Sequence, residues 1–268
     1  MDSILGIYRE RIFSPGKVLD DAAVLDATLE KLSAIGRQVN SVHAEAIDRS
    51  IPRPRWALTM AQSPRVLGIL ENWAALGTMV VNSVGSVRRC YRKPLSRILD
   101  RAGLPVPPGR IVPLDSAEEE IAMHASDPVW LKRGDVHAVQ AGDVAQVRSK
   151  REISEALDHF RLQNVTEILV QTHVAGPVVK FYGVGHGDFF RAFLASTGED
   201  ITNGMGSALR ELAKRAAATV GLEVYGGDAV MPGNGSAALI DLNDWPSFSR
   251  CCRDAAKNIV LYLQGKER

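Results

Sequence analysis

The 268-residue sequence has few cysteines, no surplus of either charge and no long apolar run. Its three cysteines, Cys90, Cys251 and Cys252, lack the spacing of a metal site, so free thiols in a reducing compartment are expected. A formal net charge of +1 offers no field suited to nucleic acid or an anionic membrane surface. No apolar run approaches the roughly 20 residues of a membrane span, and residues 1–7 do not resemble a signal peptide. These absences predict a cytoplasmic protein that binds neither nucleic acid nor membranes.

The common phosphate-binding motifs are missing as well. The chain contains neither a glycine-rich loop ending in Lys-Ser or Lys-Thr nor a G-x-G-x-x-G segment after its first predicted strand. The segment GVGHG at residues 183–187 resembles such a loop, but no helical pattern follows it, so we interpret it as a hairpin turn. The sequence therefore disfavours the most common nucleotide-binding folds.

Strand-like and helix-like patterns alternate over the first third of the chain. With 46% hydrophobic and 24% charged residues, the chain has the composition of a globular protein. Alternation of strands and helices is typical of a parallel sheet with helices on its faces, and we expect residues 1–84 to form such an α/β domain. Predicted strands cover residues 4–8, 38–46, 56–60 and 78–82, and predicted helices cover residues 18–35 and 64–76.

The middle of the chain carries a basic segment and a second predicted sheet. Residues 86–102 have the pattern of one basic amphipathic helix, which is usually a solvated face. A strand over residues 129–132 brings Lys132 into the sheet. The glycine- and valine-containing residues 133–147 suit a hairpin or a flexible loop over a site.

The segment ALIDLNDWPSF, residues 238–248, combines a strand pattern with oxygen-bearing side chains. Strand alternation points Asp241 and Asn243 to one face and Leu242 to the other. A preceding apolar run carries Asp228, and the Pro- and Gly-rich connection predicts a hairpin that brings Asp228 beside Asp241. Two carboxylates and an amide oxygen suit Mg²⁺ carrying a nucleoside triphosphate better than zinc or a redox metal. The alternative is that these polar residues end strands at a sheet edge.

Four segments, in order, resemble the ATP-grasp superfamily and together span most of the chain. They are NSVGSVRRCYRKPLSRILDRAGLPVPPGRIV at residues 82–112, VWLKRG at 129–134, EILVQTHVAGPVVKFYGVG at 167–185, and the oxygen-bearing trio described above. The resemblance implies the fold class, an α/β protein with the ATP-grasp fold. Its N-terminal parallel-sheet domain would precede two α+β subdomains that clasp ATP. The implied boundaries are 1–84, 85–172 and 173–268, with the metal site in the last.

The resemblance also implies roles for individual residues. ATP would be bound through its α- and β-phosphates by two lysines, and its adenine edge would meet the strand that joins the two subdomains. The metal trio would hold one or two Mg²⁺ ions, which Mn²⁺ can replace. The residues implied are Lys93 and Lys132 for the phosphates, Gln171 and the backbone of His173 and Val174 for adenine, and Asp228, Asp241 and Asn243 for the metal.

The sequence features that distinguish branches of the superfamily do not all point to the same branch. The Lys-Phe-Tyr after the joining strand and the segment IDLNDWP look more like the inositol trisphosphate kinase branch. The ribosomal-protein glutamate ligase branch usually has Asp-x-Arg and Glu-x-Asn at these places, yet most of the superfamily are carboxylate–amine ligases. Our first hypothesis is therefore a ligase that acts through an acyl phosphate. The second is a kinase of a polyol or inositol phosphate, which the neutral charge mildly disfavours, and the third is a binding protein without turnover.

Three residues are the candidates for contacts with a small-molecule acceptor. His137 could touch the transferring phosphate, although a lone histidine is more often structural. Lys180 lies in mid-strand and needs an anionic partner or an open cleft. Arg191, on the predicted partner strand, could hold a carboxylate or phosphate through a forked pair of hydrogen bonds. Residues after the first strand also lie where α/β folds place ligands: Arg9, Arg11 and Ser14. The sequence leaves a homodimer open.

Overall fold

A computed structural model describes residues 3–14, 16–124, 128–136, 140, 142–185, 187–233 and 235–267. In this part of the chain, three four-stranded sheets succeed one another along the sequence, and helices cover their faces. Among the described residues, no helix combines the length and the apolar character that a membrane span requires.

The N-terminal sheet is parallel, as the alternating pattern predicted. It has the strand order β2-β1-β3-β4, and every neighbouring pair runs in the same direction. Helices lie on the faces of this sheet because a connection between two parallel strands must return to the starting end of the sheet, which takes a long segment. The elements are β1 (Ser3–Tyr8), α1 (Val18–Ala34), β2 (Gln38–His43), β3 (Trp56–Thr59), α2 (Pro64–Ala75) and β4 (Met79–Val81).

The basic segment forms two helices where the sequence predicted one. The structure has α3 (Val84–Arg89) and α4 (Arg92–Arg101), separated by an extended Tyr91 with φ −58° and ψ 141°. A continuous helix would need a hydrogen bond from residue 94 to the carbonyl of Cys90, and Pro94 has no N–H to donate. Proline is tolerated in the first turn of a new helix, so the chain restarts at Arg92.

The central sheet is antiparallel, with the strand order β5-β8-β6-β7. The segment predicted as a hairpin or loop forms a hairpin in which β7 pairs with β6. Residues 137–139 and 141, which come between these two strands in the sequence, lie outside the described residues. The elements are β5 (Gly109–Pro113), α5 (Ala117–Ala122), β6 (Val129–Arg133), β7 (Val144–Val147), α6 (Lys150–Leu162) and β8 (Glu167–Thr172).

The C-terminal sheet is also antiparallel and has the order β10-β9-β11-β12. Both predicted hairpin pairings are confirmed, since β9 pairs with β10 and β11 pairs with β12. The elements are β9 (Val178–Val184), β10 (Phe189–Leu194), α7 (Met205–Val220), β11 (Val224–Val230), β12 (Ala238–Asp244) and α8 (Cys252–Lys266).

The hydrophobic cores do not follow the three sheets one to one. Leu25 of α1 and Trp56 of β3 share a core with Phe189 of β10 and Ile259 of α8, so the N-terminal and C-terminal sheets are joined through their helices. Helix α4 packs against the opposite face of the C-terminal sheet together with α7. The central sheet has a core of its own around Phe160. A cleft between the central and C-terminal sheets is therefore the place where two separately packed bodies meet.

Candidate active site

A cavity of about 280 Å³ lies between the central and C-terminal sheets, where β8 continues into β9. We call it the inter-sheet cavity. Its apolar lining includes Trp130, Val230 and Ile240. Six of the residues that the sequence singled out line it as well: Lys132, Gln171, His173, Val174, Lys180 and Asp228. An apolar slot with a few convergent polar groups is typical of a small-molecule site.

Lys132 is the buried cation of the inter-sheet cavity. It is 3% exposed, and its Nζ donates a hydrogen bond of 2.8 Å to Oε1 of Gln171. Gln171 is fixed in turn by a bond of 3.2 Å from its Nε2 to the Pro107 carbonyl. Burial, together with a smaller effect of the neighbouring Arg92 guanidinium, lowers the pKa of Lys132 to about 8. A negative group beside the ammonium would therefore be strongly favoured.

The connection after β8 presents the edge of the inter-sheet cavity. Nδ1 of His173 accepts a hydrogen bond of 3.2 Å from Trp130 Nε1, which fixes the imidazole beside the indole. The His173 amide donates to the Pro128 carbonyl at 3.0 Å. No described residue accepts a hydrogen bond from the Val174 amide. Of the two predicted backbone contacts with adenine, the amide of Val174 is the one available to a ligand.

The oxygen-bearing trio lies on one face of the C-terminal sheet. Asp228 is directly opposite Asp241 in the pairing of β11 with β12, and Gly226 is opposite Asn243. Directly opposed residues have Cβ atoms roughly 5 Å apart, so the two carboxylates are neighbours. Leu242 points the other way and is fully buried. This is the arrangement that strand alternation predicted.

A β-bulge adds one residue to this face that alternation did not predict. Asp228 is paired with Asp241, but the next residue, Ala229, is paired with Leu239, so Ile240 is the extra residue. The bulge turns Ile240 into the inter-sheet cavity next to Asp241. Strict alternation would have pointed Ile240 to the opposite face. A regular strand pattern carries no sign of the bulge, and the sequence analysis therefore missed this residue.

The residues fit a divalent metal ion of the hard type. In the part of the chain that the structure describes, no group of three or more His, Cys, Asp and Glu side chains could hold a metal. A metal here would therefore use two carboxylates and the amide oxygen of Asn243, an all-oxygen set that suits Mg²⁺. The Lys180 ammonium already lies 2.9 Å from an Asp228 oxygen, which shows that this face attracts a cation. Burial lowers the pKa of Lys180, but Asp228 outweighs burial and the net shift is upward.

Three other predicted residues have no described position in this site. The Lys93 ammonium donates to both carboxylate oxygens of Glu167, at 2.6 and 2.5 Å, and Lys93 lines none of the cavities described here. Arg191 is 3.7 Å from Asp254 of α8 and is also absent from these cavities. His137 lies outside the described residues. The roles assigned to these residues stay predictions.

A second cavity, of about 360 Å³, lies on the other side of the metal trio, against the N-terminal sheet. We call it the N-terminal cavity. Asp241 and Asn243 form part of its wall. The N-terminal side is formed by residues that follow β1 and β3, where α/β sheets place their ligands: Arg9, Phe13, Ser14, Lys17, Asp21 and Gln62. Two of these, Arg9 and Ser14, were named from the sequence as candidates for the same reason.

Arg9 fixes this wall to the C-terminal sheet. Its guanidinium donates to the carbonyls of Trp245, at 2.8 Å, and Asp244, at 3.2 Å, and lies 3.5 Å from the Asp21 carboxylate. The Asp244 side chain is fully buried and accepts a hydrogen bond of 3.1 Å from Gln62. Burial raises the pKa of Asp244. Because its donors are already used, Arg9 serves mainly to hold the cavity wall in place.

Arg92 is a further site residue that the sequence analysis did not single out. It is 5% exposed and lines both the N-terminal cavity and a groove of about 800 Å³ beside α4. The only sequence signal is its position within the basic segment, next to Lys93. That signal could not separate the two residues, because the direction of each side chain depends on where α4 begins.

No protein-family model and no curated protein sequence matches the chain. Solved structures of ATP-grasp proteins match it in three dimensions. The RimK domain protein ATP-grasp from Sphaerobacter thermophilus DSM 20745 superposes with a TM-score of 0.74 at 22% identity, covering 98% of this chain and 100% of that one. The ATP-grasp ligase PsnB, complexed with precursor peptide PsnA2 and AMPPNP, gives a TM-score of 0.68 at 16% identity and covers 97% of each chain.

D-alanine–D-alanine ligase from Bacillus anthracis, complexed with ATP, superposes with a TM-score of 0.71 at 13% identity over 99% of both chains. Similarity of this extent includes all three sheets, and it confirms the fold class that the four sequence segments implied. The chain is therefore an α/β protein with the ATP-grasp fold.

Proposed function

We propose that the protein is an ATP-dependent ligase that joins a carboxylate to an amine, with Mg-ATP bound between the central and C-terminal sheets. The observation that carries this proposal is the position of Asp228 and Asp241. They lie between an apolar cavity with a buried lysine and a second cavity that reaches the N-terminal sheet. Such a site has room for a nucleotide on one side of the metal and for an acceptor on the other.

Each cavity supplies different groups to the reaction. Trp130 and Ile240 would pack on the nucleobase, and Lys132 would neutralise the phosphates, held in position by Gln171. Asp228, Asp241 and Asn243 would hold Mg²⁺, which neutralises phosphate charge and orients the transferring group. The walls of the two cavities would shield the acyl intermediate from water, which would otherwise hydrolyse it.

The proposed reaction has two steps. A carboxylate oxygen of the acceptor attacks the γ-phosphorus of ATP, the bond to the β-phosphate oxygen breaks, and an acyl phosphate and ADP result. An amine nitrogen then attacks the acyl carbon, phosphate leaves, and the amine gives up a proton. Preorganised cations and the cavity walls supply the catalysis, and no protein nucleophile is needed.

A ligase is favoured over a kinase by the charges of the N-terminal cavity. Its wall contains acidic groups, Asp21 and Asp241, as well as basic ones, and Arg9 is occupied by Asp21 and by backbone carbonyls. A highly phosphorylated polyol would need a larger cationic surplus. The PsnB and D-alanine–D-alanine ligase structures, which share this fold, are both described as ligases.

The test is to measure ADP and free phosphate together, with Mg-ATP against pooled carboxylates, amines and polyols. A ligase releases equal amounts of both, and only when an acid and an amine are present. ADP without free phosphate would identify a kinase, because the phosphate then stays on the product. Asp241→Asn is the control for contaminating ATPases. If no pool gives ADP above that control, the ligase proposal fails.

A further inference from the structure

Lys180 brings a fixed positive charge to one side of the metal trio. Its Nζ donates a hydrogen bond of 2.9 Å to Oδ1 of Asp228. Both side chains line the inter-sheet cavity, and they are 44% and 30% exposed. The ion pair therefore lies inside the proposed site, where a metal ion and phosphates would be its neighbours.

The order of residues across the C-terminal sheet places Asp228 between Lys180 and Asp241. Lys180 is paired with Asp228 across β9 and β11, and Asp228 is paired with Asp241 across β11 and β12. Paired residues of neighbouring strands point to the same face, with Cβ atoms roughly 5 Å apart. An ion held between the two carboxylates therefore has the ammonium on the far side of Asp228.

The side of Asp228 that faces Lys180 offers further positive charge instead of further oxygen ligands. The same row of residues continues beyond Lys180 with Phe193 of β10, which has no oxygen in its side chain. The Arg250 guanidinium lies 6.0 Å from the centre of the Phe193 ring. A second divalent ion on this side would therefore meet two fixed cations, and this row would give it no third carboxylate.

The short contact between Lys180 and Asp228 also limits the space for an ion. Sites with two metal ions hold them roughly 3.5–4 Å apart, often on shared carboxylates. Mg²⁺ binds an oxygen ligand at roughly 2.0–2.1 Å and requires a nearly complete octahedron around it. An ion on Oδ1 of Asp228 would have to displace the ammonium, whereas the other carboxylate oxygen of Asp228 faces no such competition from Lys180.

We propose that the Lys180 ammonium takes the place of a second metal ion, so that the site holds one divalent ion, bound by Asp241, Asn243 and the other oxygen of Asp228. This inference rests on the proposed function. A lysine ammonium is a compact charge with three N–H donors, and it can neutralise phosphate oxygens from a fixed position. The enzyme would then need no divalent ion beyond the one that arrives with ATP.

The test is to count the Mn²⁺ ions bound per AMPPNP by electron paramagnetic resonance, since Mn²⁺ takes the same oxygen ligands as Mg²⁺. The wild type should bind one ion per nucleotide and give the spectrum of an isolated Mn²⁺. Lys180→Met should raise the ratio to two and produce the spin coupling of neighbouring ions. Lys180→Arg keeps the positive charge and should stay at one.

Lys266→Met is the matched control. Lys266 forms an ion pair with Glu223 at 2.7 Å and is 35% exposed, but it lines none of the cavities described above. Its substitution removes a lysine–carboxylate pair of similar geometry and exposure outside the site. The ratio of Mn²⁺ to nucleotide should therefore stay at one in this variant.

The count in the wild type is decisive. Two Mn²⁺ ions per nucleotide in the wild type, only one in folded Lys180→Met, or a second ion in Lys266→Met would overturn the inference. If circular dichroism shows that Lys180→Met does not fold, a ratio of two in the wild type or in Lys180→Arg still overturns it. If the wild type binds no Mn-AMPPNP, the proposed function fails, and this inference fails with it. If the wild type binds the nucleotide with two ions, only this inference fails.

Discussion

At the scale of single residues, the site contains cations that the fold keeps away from water. Lys132 has a pKa of about 8, so a substantial fraction of the free protein carries it uncharged in mildly alkaline solution. Phosphate binding favours the charged form, which raises this pKa in the complex. Above pH 8, binding must therefore take up a proton, and the affinity must fall as the pH rises.

This dependence is a direct test of the role of Lys132. The affinity for Mg-ADP should decrease from pH 7 to 9.5, approaching about tenfold per pH unit at the upper end. Lys132→Arg should remove the dependence, because arginine stays charged over this range. Calorimetry in buffers of different ionisation enthalpy measures the proton uptake directly. Absence of uptake between pH 8 and 9 in the wild type would contradict a phosphate at Lys132.

Asp241 is the residue on which the metal assignment depends most. Asp241→Asn keeps the shape of the side chain but removes its charge, and it should abolish Mg²⁺-dependent turnover while the fold remains intact. Asp158→Asn removes a 61% exposed carboxylate of α6, whose partner is Arg161, and is the matched control. Turnover and circular dichroism of both variants decide the matter. Retained activity in Asp241→Asn would show that the metal is held elsewhere.

At the scale of secondary structure elements, two glycines of β11 leave no room for a Cβ against the neighbouring strands β12 and β9. A Cβ on Gly227 would lie 2.2 Å from the Asp241 carbonyl oxygen, and one on Gly226 would lie 2.7 Å from the Phe181 carbonyl. These contacts involve backbone atoms, which cannot rotate away. The glycines therefore set the separation of the strands and, with it, the position of Asp241.

Gly227→Ala should consequently lower the free energy of unfolding by about 1–3 kcal/mol, as overpacking of a well-packed site does. It should also weaken Mg-nucleotide binding, because the Asp241 backbone must move. Gly233→Ala is the control, since nothing lies within 4 Å of a Cβ there. Urea denaturation of the two variants gives the comparison. Equal free energies of unfolding for the two variants would mean that the sheet accommodates the added Cβ of Gly227→Ala without losing stability.

The elements also show what the sequence could predict. Periodicity identified the parallel sheet, both C-terminal hairpins and the pairing of Asp228 with Asp241, because each depends on a repeating pattern of buried residues. The break before Arg92 and the bulge at Ile240 are local interruptions of such patterns. Pro94 signalled the first, but the direction in which the new helix points its side chains depends on packing against other elements. Tertiary contacts of this kind are not readable from the segment alone.

At the scale of the whole molecule, the N-terminal and C-terminal sheets share a core while the central sheet has its own. We therefore expect the N-terminal and C-terminal sheets to unfold locally as one unit and the central sheet to unfold as a separate unit. Leu25→Ala in α1 should cost about 2–5 kcal/mol and should expose amides of both α1 and α8. Leu157→Ala in α6 should affect the central sheet only.

Hydrogen exchange followed by mass spectrometry measures these changes peptide by peptide. The decisive comparison is the protection of β9 and β10 in the two variants, because these strands are remote in sequence from both substitutions. Loss of protection there in Leu157→Ala, or its retention in Leu25→Ala, would contradict the grouping of the cores.

The indole of Trp130 has a further consequence, an optical one. The chain has four tryptophans, and the other three, Trp56, Trp73 and Trp245, are buried in hydrophobic cores at 2%, 7% and 0% exposure. Trp130 alone among them lines the inter-sheet cavity, with its ring N–H bonded to His173. Fluorescence emission should therefore respond to ligands chiefly through this one ring. The protein carries its own probe for titrating nucleotides, and Trp130→Phe should silence the signal.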